Sequence, residues 1–166
     1  MLTVLLSEEE IRKRIAELGK EIREDYRGKE LMLLGILRGS VLFYADLSRH
    51  LDPYLTEFEF IQVNSYERDT STGNVKLLKG LSADIKGKHV LIVEDIIDTG
   101  LSLEFILDYI SQKSPASVKT CVFLNKNKID LKADYTGFDI PNKFVIGYGL
   151  DDNGKCRNLN YVGVKS

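Results

Sequence analysis

Residues 94–102 read Glu-Asp-Ile-Ile-Asp-Thr-Gly-Leu-Ser, and this string gathers the side chains best able to do chemistry. In its second half, Asp98-Thr99-Gly100-Leu101-Ser102, a glycine that permits a tight turn lies between two hydroxyls, just where a helical pattern begins. Backbone N–H groups, the helix dipole and the Thr99 and Ser102 hydroxyls can converge there on one phosphate. In its first half, Glu94 and Asp95 end the apolar run Val90 to Val93. Adjacent carboxylates at the end of a buried strand need donors or a metal, because burial without partners is costly. Vicinal sugar hydroxyls are such donors, and one carboxylate accepts two O–H bonds at once. A ribose with its 5-phosphate in the cradle satisfies both halves of the string. Taken alone, the Glu-Asp pair reads more plainly as a solvated helix cap. Neither G-x-x-x-x-G-K-[ST] nor G-x-G-x-x-G occurs, which removes the usual nucleoside-triphosphate and dinucleotide loops.

The elements that must position this string follow from hydrophobic periodicity. Ser7 with Glu10 is a capping box, and Ile11, Ile15, Leu18 and Ile22 recur at helical spacing, which predicts a helix from about residue 8 to Tyr26, ended by Gly28. Leu31 to Leu37 is short enough for a buried strand; Arg38-Gly39-Ser40 then interrupts it before Val41, Leu42, Ala45 and Leu47 resume as a helix. Further strands are expected at Glu57–Val63, Val90–Val93, Val118–Leu124 and Lys143–Tyr148, with a helix through Leu103, Ile106, Leu107 and Ile110 that Ser114-Pro115 breaks. Asn64 to Asn74 is polar and is expected to be mobile. Strands alternating with helices imply a mostly parallel sheet covered on both faces, whose post-strand loops share one edge. The Arg38-Gly39-Ser40 loop and the 94–102 loop should therefore face one crevice.

At 166 residues, with 43% apolar and 29% charged residues, the chain fits one globular domain over 1–166. A net charge of -2 leaves no basic excess for nucleic acid or an anionic membrane. Cys121 and Cys156 lie far apart and the only histidines are His50 and His89, which excludes a zinc site or disulfide scaffold. Apolar runs are too short to span a bilayer, and Met1 to Leu6 lacks a basic flank, so the expected location is the cytoplasm.

The string from Val90 to Gly100 resembles the phosphoribosyl-pyrophosphate signature of type I phosphoribosyltransferases, in the form found in hypoxanthine-guanine phosphoribosyltransferases. Three more segments match in order: Leu37-Arg38-Gly39-Ser40; Ser65-Tyr66 with Ser71-Thr72-Gly73; and Lys143 to Asp151 leading to Arg157-Asn158-Leu159. The likeness spans roughly residues 8 to 164. It implies an α/β fold of type I phosphoribosyltransferase form, a mostly parallel central sheet flanked by helices, with a small hood built from terminal segments and a mobile catalytic loop at about 64–76. It implies transfer of phosphoribosyl to hypoxanthine or guanine. Alternatives are a xanthine-preferring or other nucleobase transferase, or a non-catalytic sensor of phosphoribosyl pyrophosphate.

By the same resemblance Glu94 and Asp95 hold the ribose hydroxyls, and Asp98, Thr99, Gly100, Leu101 and Ser102 hold the 5-phosphate. Leu37, Arg38, Gly39, Ser65, Tyr66 and Arg157 meet pyrophosphate, with a non-proline cis peptide expected between Leu37 and Arg38. Lys126, Phe144, Val145 and Asp151 receive the purine, and Asp98 is the catalytic base or the partner of the proton on N7. Mg²⁺ is the implied cofactor, with Glu94, Asp95 and Asp151 on its side. The implied partners are small-molecule substrates with no nucleic acid or membrane, and the implied assembly is a homodimer or homotetramer. Leu101 stands where mammalian members carry lysine. The segment between Lys126 and Asp134 is shorter than theirs, leaving Lys128 as a rival to Lys126.

Overall fold

The computed structural model describes residues 2–65 and 75–165. Its elements in chain order are β1 (Leu2–Leu6), α1 (Glu8–Asp25), β2 (Leu31–Leu37), α2 (Val41–Ser48), β3 (Thr56–Ser65) and β4 (Val75–Lys79). Then follow β5 (His89–Ile97), α3 (Leu101–Ser111), β6 (Ser117–Asn125), β7 (Tyr135–Asp139), β8 (Val145–Ile146) and β9 (Val162–Lys165). Among the described residues the strands form a six-stranded sheet, in the order β4-β3-β2-β5-β6-β7, and a three-stranded sheet, β1-β9-β8. The large sheet is parallel except where β4 returns antiparallel along β3.

Local signals explain these elements. The N-terminus of α1 is fixed by the capping box, with Ser7 N donating to Glu10 Oε2 at 2.8 Å and Glu10 N donating to Ser7 Oγ at 3.3 Å. Its apolar stripe, Ile11, Ile15, Leu18 and Ile22, is buried. Side chains of β2 alternate between the two faces of the sheet. Leu31 and Leu33 join Phe43 of α2 and Phe123 of β6, whereas Met32, Leu34 and Ile36 join Ile106 and Ile110 of α3. Burial on both sides is why β2 reads as an unbroken apolar run, and each such side chain stabilises the fold by about 1.5–3 kcal/mol.

One expectation changes. Lys143–Tyr148 is not a strand of the central sheet: only Val145–Ile146 is extended, and it pairs with β9. Positive φ values at Gly147 (97°), Tyr148 (48°) and Gly149 (100°) turn the chain away. The edge position belongs instead to β7, and β4 forms the opposite edge. The two terminal strands, β1 and β9, pair antiparallel in the small sheet. Tyr66, Ser71-Thr72-Gly73 and most of the expected catalytic loop lie outside the described residues, and Ser65 closes β3 at their border.

Candidate active site

The C-terminal edge of the parallel strands brings three loops together. β2 ends at Leu37, β5 at Ile97 and β6 at Asn125, so the segments that follow them share one rim. A cavity of about 410 Å³ opens there, lined by Glu94, Asp95, Asp98, Thr99, Gly100, Ser102, Lys126, Phe144, Val145 and Asp151 together with Leu103 and Leu150. An equally large cavity between the end of α1 and the start of β2 holds none of the string 94–102, so chemistry rather than volume identifies the site.

Glu94 is only 7% exposed. Its Oε1 accepts from Asp95 N at 3.0 Å, and Asp95 Oδ1 accepts from Ile96 N at 2.8 Å. Burial lifts the Glu94 carboxyl well above the usual carboxylate range, and the neighbouring Asp95 charge adds to it. Burial also raises Asp95, against the hydrogen bonds it accepts and the charge of Arg157. This pair therefore stands ready to accept hydroxyl donors or a cation. Among the described residues no three His, Cys, Asp or Glu side chains converge on a metal position, so Glu94, Asp95 and Asp151 make no cage of their own. Glu94, Asp95 and Asp151 line one cavity, and their oxygen donors suit a hard cation such as Mg²⁺, which keeps several waters and substrate oxygens and takes few protein ligands.

Gly100 enters α3 with φ of 79°, and its carbonyl accepts the first helical bond from Glu104 N at 2.9 Å. Its missing Cβ leaves room for Ile129 and Leu131, which lie against the turn. Sequence reasoning missed this packing because nothing in the composition of residues 127–132 ties them to the cradle. Leu101 is exposed and brings no charge to this turn, whose polar groups are backbone N–H groups and the Thr99 and Ser102 hydroxyls.

Asp98 faces two ammonium groups. Lys126 Nζ donates to Oδ2 at 2.8 Å and Lys128 Nζ to Oδ1 at 2.5 Å. Burial pushes the Asp98 carboxyl up, but the hydrogen bonds and charges of Lys126 and Lys128 outweigh it and hold the group below its ordinary value. Lys126 is only 8% exposed, and its backbone N donates to Ile97 O at 3.2 Å, which locks its position against β5.

On the opposite rim the Leu37–Arg38 peptide is cis, as the resemblance implied. Gly39 approaches so closely that a Cβ there would overlap the Asp95 carboxylate, and a Cβ on Gly149 would overlap Gly39 O. Three loops thus interlock, with the Asp95 carboxylate packed on Gly39 and Gly39 O on Gly149. Arg38 is exposed at this rim. Arg157 Nη1 donates to Gly149 O at 2.6 Å and Nη2 pairs with Asp151 Oδ1 at 2.7 Å, so here it braces the hood rather than projecting alone. Asp151 Oδ2 accepts from Gly154 N at 2.7 Å.

Phe144, an aromatic ring that an apolar strand would normally bury, is 55% exposed at the cavity. Val145 and Leu150 beside it are buried and anchor that wall. Leu103 and Leu150 were not singled out in the sequence, although Leu150 sits inside the matched segment ending at Asp151.

The chain matches the phosphoribosyl transferase domain family over residues 2–153. It is 47% identical over 166 residues to the hypoxanthine-guanine phosphoribosyltransferase of Aquifex aeolicus, covering 97% of this chain and 93% of that protein. It is 44% identical over 165 residues to the enzyme of the same name from Bacillus subtilis, covering 97% and 91%. The crystal structure of a hypoxanthine phosphoribosyltransferase from Staphylococcus aureus superposes with a TM-score of 0.92 at 41% identity, covering 98% of this chain and 90% of that one. Fold, motif order and full-length identity agree: the chain belongs to the hypoxanthine-guanine phosphoribosyltransferase family.

Proposed function

We propose that the protein transfers the phosphoribosyl group of phosphoribosyl pyrophosphate to hypoxanthine or guanine, forming IMP or GMP and releasing pyrophosphate, as a purine salvage enzyme. The observation that carries this is the Asp98 carboxylate held by Lys126 in the cavity that also contains the Glu94–Asp95 pair, the Gly100 cradle and the open face of Phe144.

Glu94 and Asp95 accept the ribose hydroxyls, and the backbone N–H groups at the start of α3 with the Thr99 and Ser102 hydroxyls hold the 5-phosphate. Phe144 stacks on the purine, while main-chain groups of Val145 and Asp151 meet its edge. An ammonium has three donors, so Lys126 keeps its bond to Asp98 and offers another to the 6-oxygen. The purine N9 forms the bond to the anomeric carbon as the bond from that carbon to pyrophosphate oxygen breaks, with inversion. The proton on N7 passes to, or is held by, Asp98. Leu37, Arg38 and Gly39 receive the departing pyrophosphate together with Ser65, Tyr66 and Arg157. Mg²⁺, when bound on the side of Glu94, Asp95 and Asp151, neutralises the pyrophosphate charge.

The proposal places this reaction in the cytoplasm; among the described residues no helix is long and apolar enough to cross a membrane. A homodimer or homotetramer is supported by exposed Val41 and Phe58 on the α2–β3 face, where they line one groove with Tyr44 and Phe60.

The test is turnover of hypoxanthine, guanine, xanthine and adenine with phosphoribosyl pyrophosphate and Mg²⁺, in wild type and in Lys126→Ala. Hypoxanthine and guanine are expected to react. Adenine should not, because an ammonium meets its 6-amino group with no acceptor, and xanthine should rank well below the first two because its 2-oxygen faces carbonyl acceptors. Adenine turnover comparable to that of hypoxanthine would overturn the assignment.

A further inference from the structure

We infer that Lys128 is a positioning residue for Asp98: it holds one oxygen of the carboxylate so that the other remains ionised and aimed at the base when Lys126 engages the purine. The inference deepens the proposed reaction and rests on Asp98 as partner of the N7 proton.

The geometry is specific. Asp98 carries one lysine on each oxygen, 2.8 Å from Lys126 and 2.5 Å from Lys128. These lysines stand two residues apart, a spacing that puts both on one side only because the chain turns between them. Asn127 takes φ of 52°, Asn125 Oδ1 accepts from Asn127 N at 2.9 Å, and Asn125 Nδ2 donates to Asn127 Oδ1 at 2.8 Å. The turn is fastened further along, where Ile129 and Leu131 rest on Gly100. The shortened segment after β6 thus clasps the cradle at two points, with charge at Asp98 and apolar packing at Gly100. A flexible lysine on a solvated loop would show neither.

The two lysines differ in what they are free to do. Lys126, its side chain 8% exposed, lines the cavity with Phe144, Val145 and Asp151, whereas Lys128, 34% exposed, lies outside that lining. Lys126 is therefore the one within the base pocket, and Lys128 serves the carboxylate alone. Charge bookkeeping points the same way. The ionisable groups around Asp98 are Lys126 and Lys128 from the exit of β6, Glu94 and Asp95 on the strand that precedes it, and Asp151 in the lining of the same cavity. Burial works against ionisation of Asp98, and the hydrogen bonds and charges of Lys126 and Lys128 together keep it in the form that accepts a proton.

The test uses Lys128→Met, Lys128→Arg, Asp98→Asn and the Asp98→Asn/Lys128→Met double variant. Lys128→Met should lower kcat by roughly 10-fold for hypoxanthine and guanine alike, with KM for base and phosphoribosyl pyrophosphate within about twofold. Its acidic limb should move to higher pH, since loss of the cation makes Asp98 easier to protonate. Lys128→Arg should restore kcat and the limb. In the Asp98→Asn background, Lys128→Met should have no further effect. If the Met variant does not fold, Lys128→Gln takes its place. A raised KM for the base with a changed hypoxanthine-to-guanine ratio would make Lys128 a reader of the purine and overturn the inference. So would additive effects in the double variant.

A carboxyl ¹³C NMR titration of Asp98 needs no substrate and separates the two questions. A midpoint that rises in Lys128→Met upholds the positioning role even if wild type turned over no purine, and an unmoved midpoint refutes it even if wild type is fully active.

Discussion

Among the described residues, two places bury acidic side chains, and they are partnered in opposite ways. Glu59 on β3, 6% exposed, accepts from Phe60 N, Lys79 Nζ, Ser82 N, Ser82 Oγ and Ala83 N, so both of its oxygens are occupied. Burial alone would raise its carboxyl, yet these hydrogen bonds bring it down to about 2. Glu94 and Asp95 at the end of β5 each accept a neighbouring main-chain N–H, and their carboxyls are raised. The first acid is satisfied by the fold and clips residues 82–83 to the sheet. The second pair remains short of donors, a deficit that a ribose and a cation can fill. Asp98 lies between these cases: ionised like Glu59, but held by side chains that can yield to a substrate.

Asp98→Asn tests the intermediate case and should have the largest effect. We expect kcat for hypoxanthine to drop by roughly 10²-fold while IMP binding persists, because proton handling is lost and the cradle remains. Steady-state kinetics with product-binding calorimetry checks both halves. Next in size, Glu94→Gln with Asp95→Asn should weaken phosphoribosyl pyrophosphate binding by roughly 50-fold, the worth of one or two hydrogen bonds to charged groups. The same variant should unfold at an equal or higher temperature than wild type, since two acids that resist ionisation are gone. The sign follows from their raised pKa values: ionising them costs the folded state, so wild-type stability declines as pH rises out of the usual carboxylate range and the double amide lacks that decline. A variant that binds normally but unfolds early would erase the distinction between the two regions.

Glu59→Gln should do the reverse. Losing a charged acceptor for several donors should cost about 2 kcal/mol of stability and leave the Kd for phosphoribosyl pyrophosphate unchanged, as read by denaturant unfolding and calorimetry. Its pH dependence is a smaller, sharper check. The folded carboxyl is held at about 2 against an ordinary 4.5, so its contribution is complete above pH 4.5 and is lost as pH falls toward 2. The stability gap between wild type and Glu59→Gln should close over that window.

How much of this was legible in the sequence depended on whether a feature was contained in one stretch of chain. Glu94, Asp95, Asp98 and the cradle lie within nine residues of one strand and turn, so their shared chemistry was readable before any fold was known. The strands β2, β5 and β6 were readable because burial on both faces leaves continuous apolar runs. β7 was not: Thr136, Gly137 and Phe138 at the sheet edge are only half-buried, and a Cβ at Gly137 would overlap Phe123 O, so a side-chain-free position marks contact rather than a loop. Lys143–Tyr148 misled in the other direction. Val145, Ile146 and Tyr148 are buried like sheet residues, but Val145–Ile146 pairs with β9 in the small sheet and Gly147 then turns the chain. The Lys128–Asp98 bond joins segments after two different strands and depends on the backbone angle of Asn127, which the sequence does not display.

The β1–β9 pairing also sets an order in time. β9 is the strand to which β8 is tied, Val145 opposite Val164 and Ile146 opposite Gly163, and β8 directly follows Phe144. On the ribosome, residues 94–126 emerge well before 162–165, and nascent chains begin to fold as they emerge. The segment proposed to hold a sugar phosphate is therefore made before the strand that fastens the wall beside Phe144. In a growing chain, the parts proposed to hold ribose phosphate precede the one that completes the proposed purine wall.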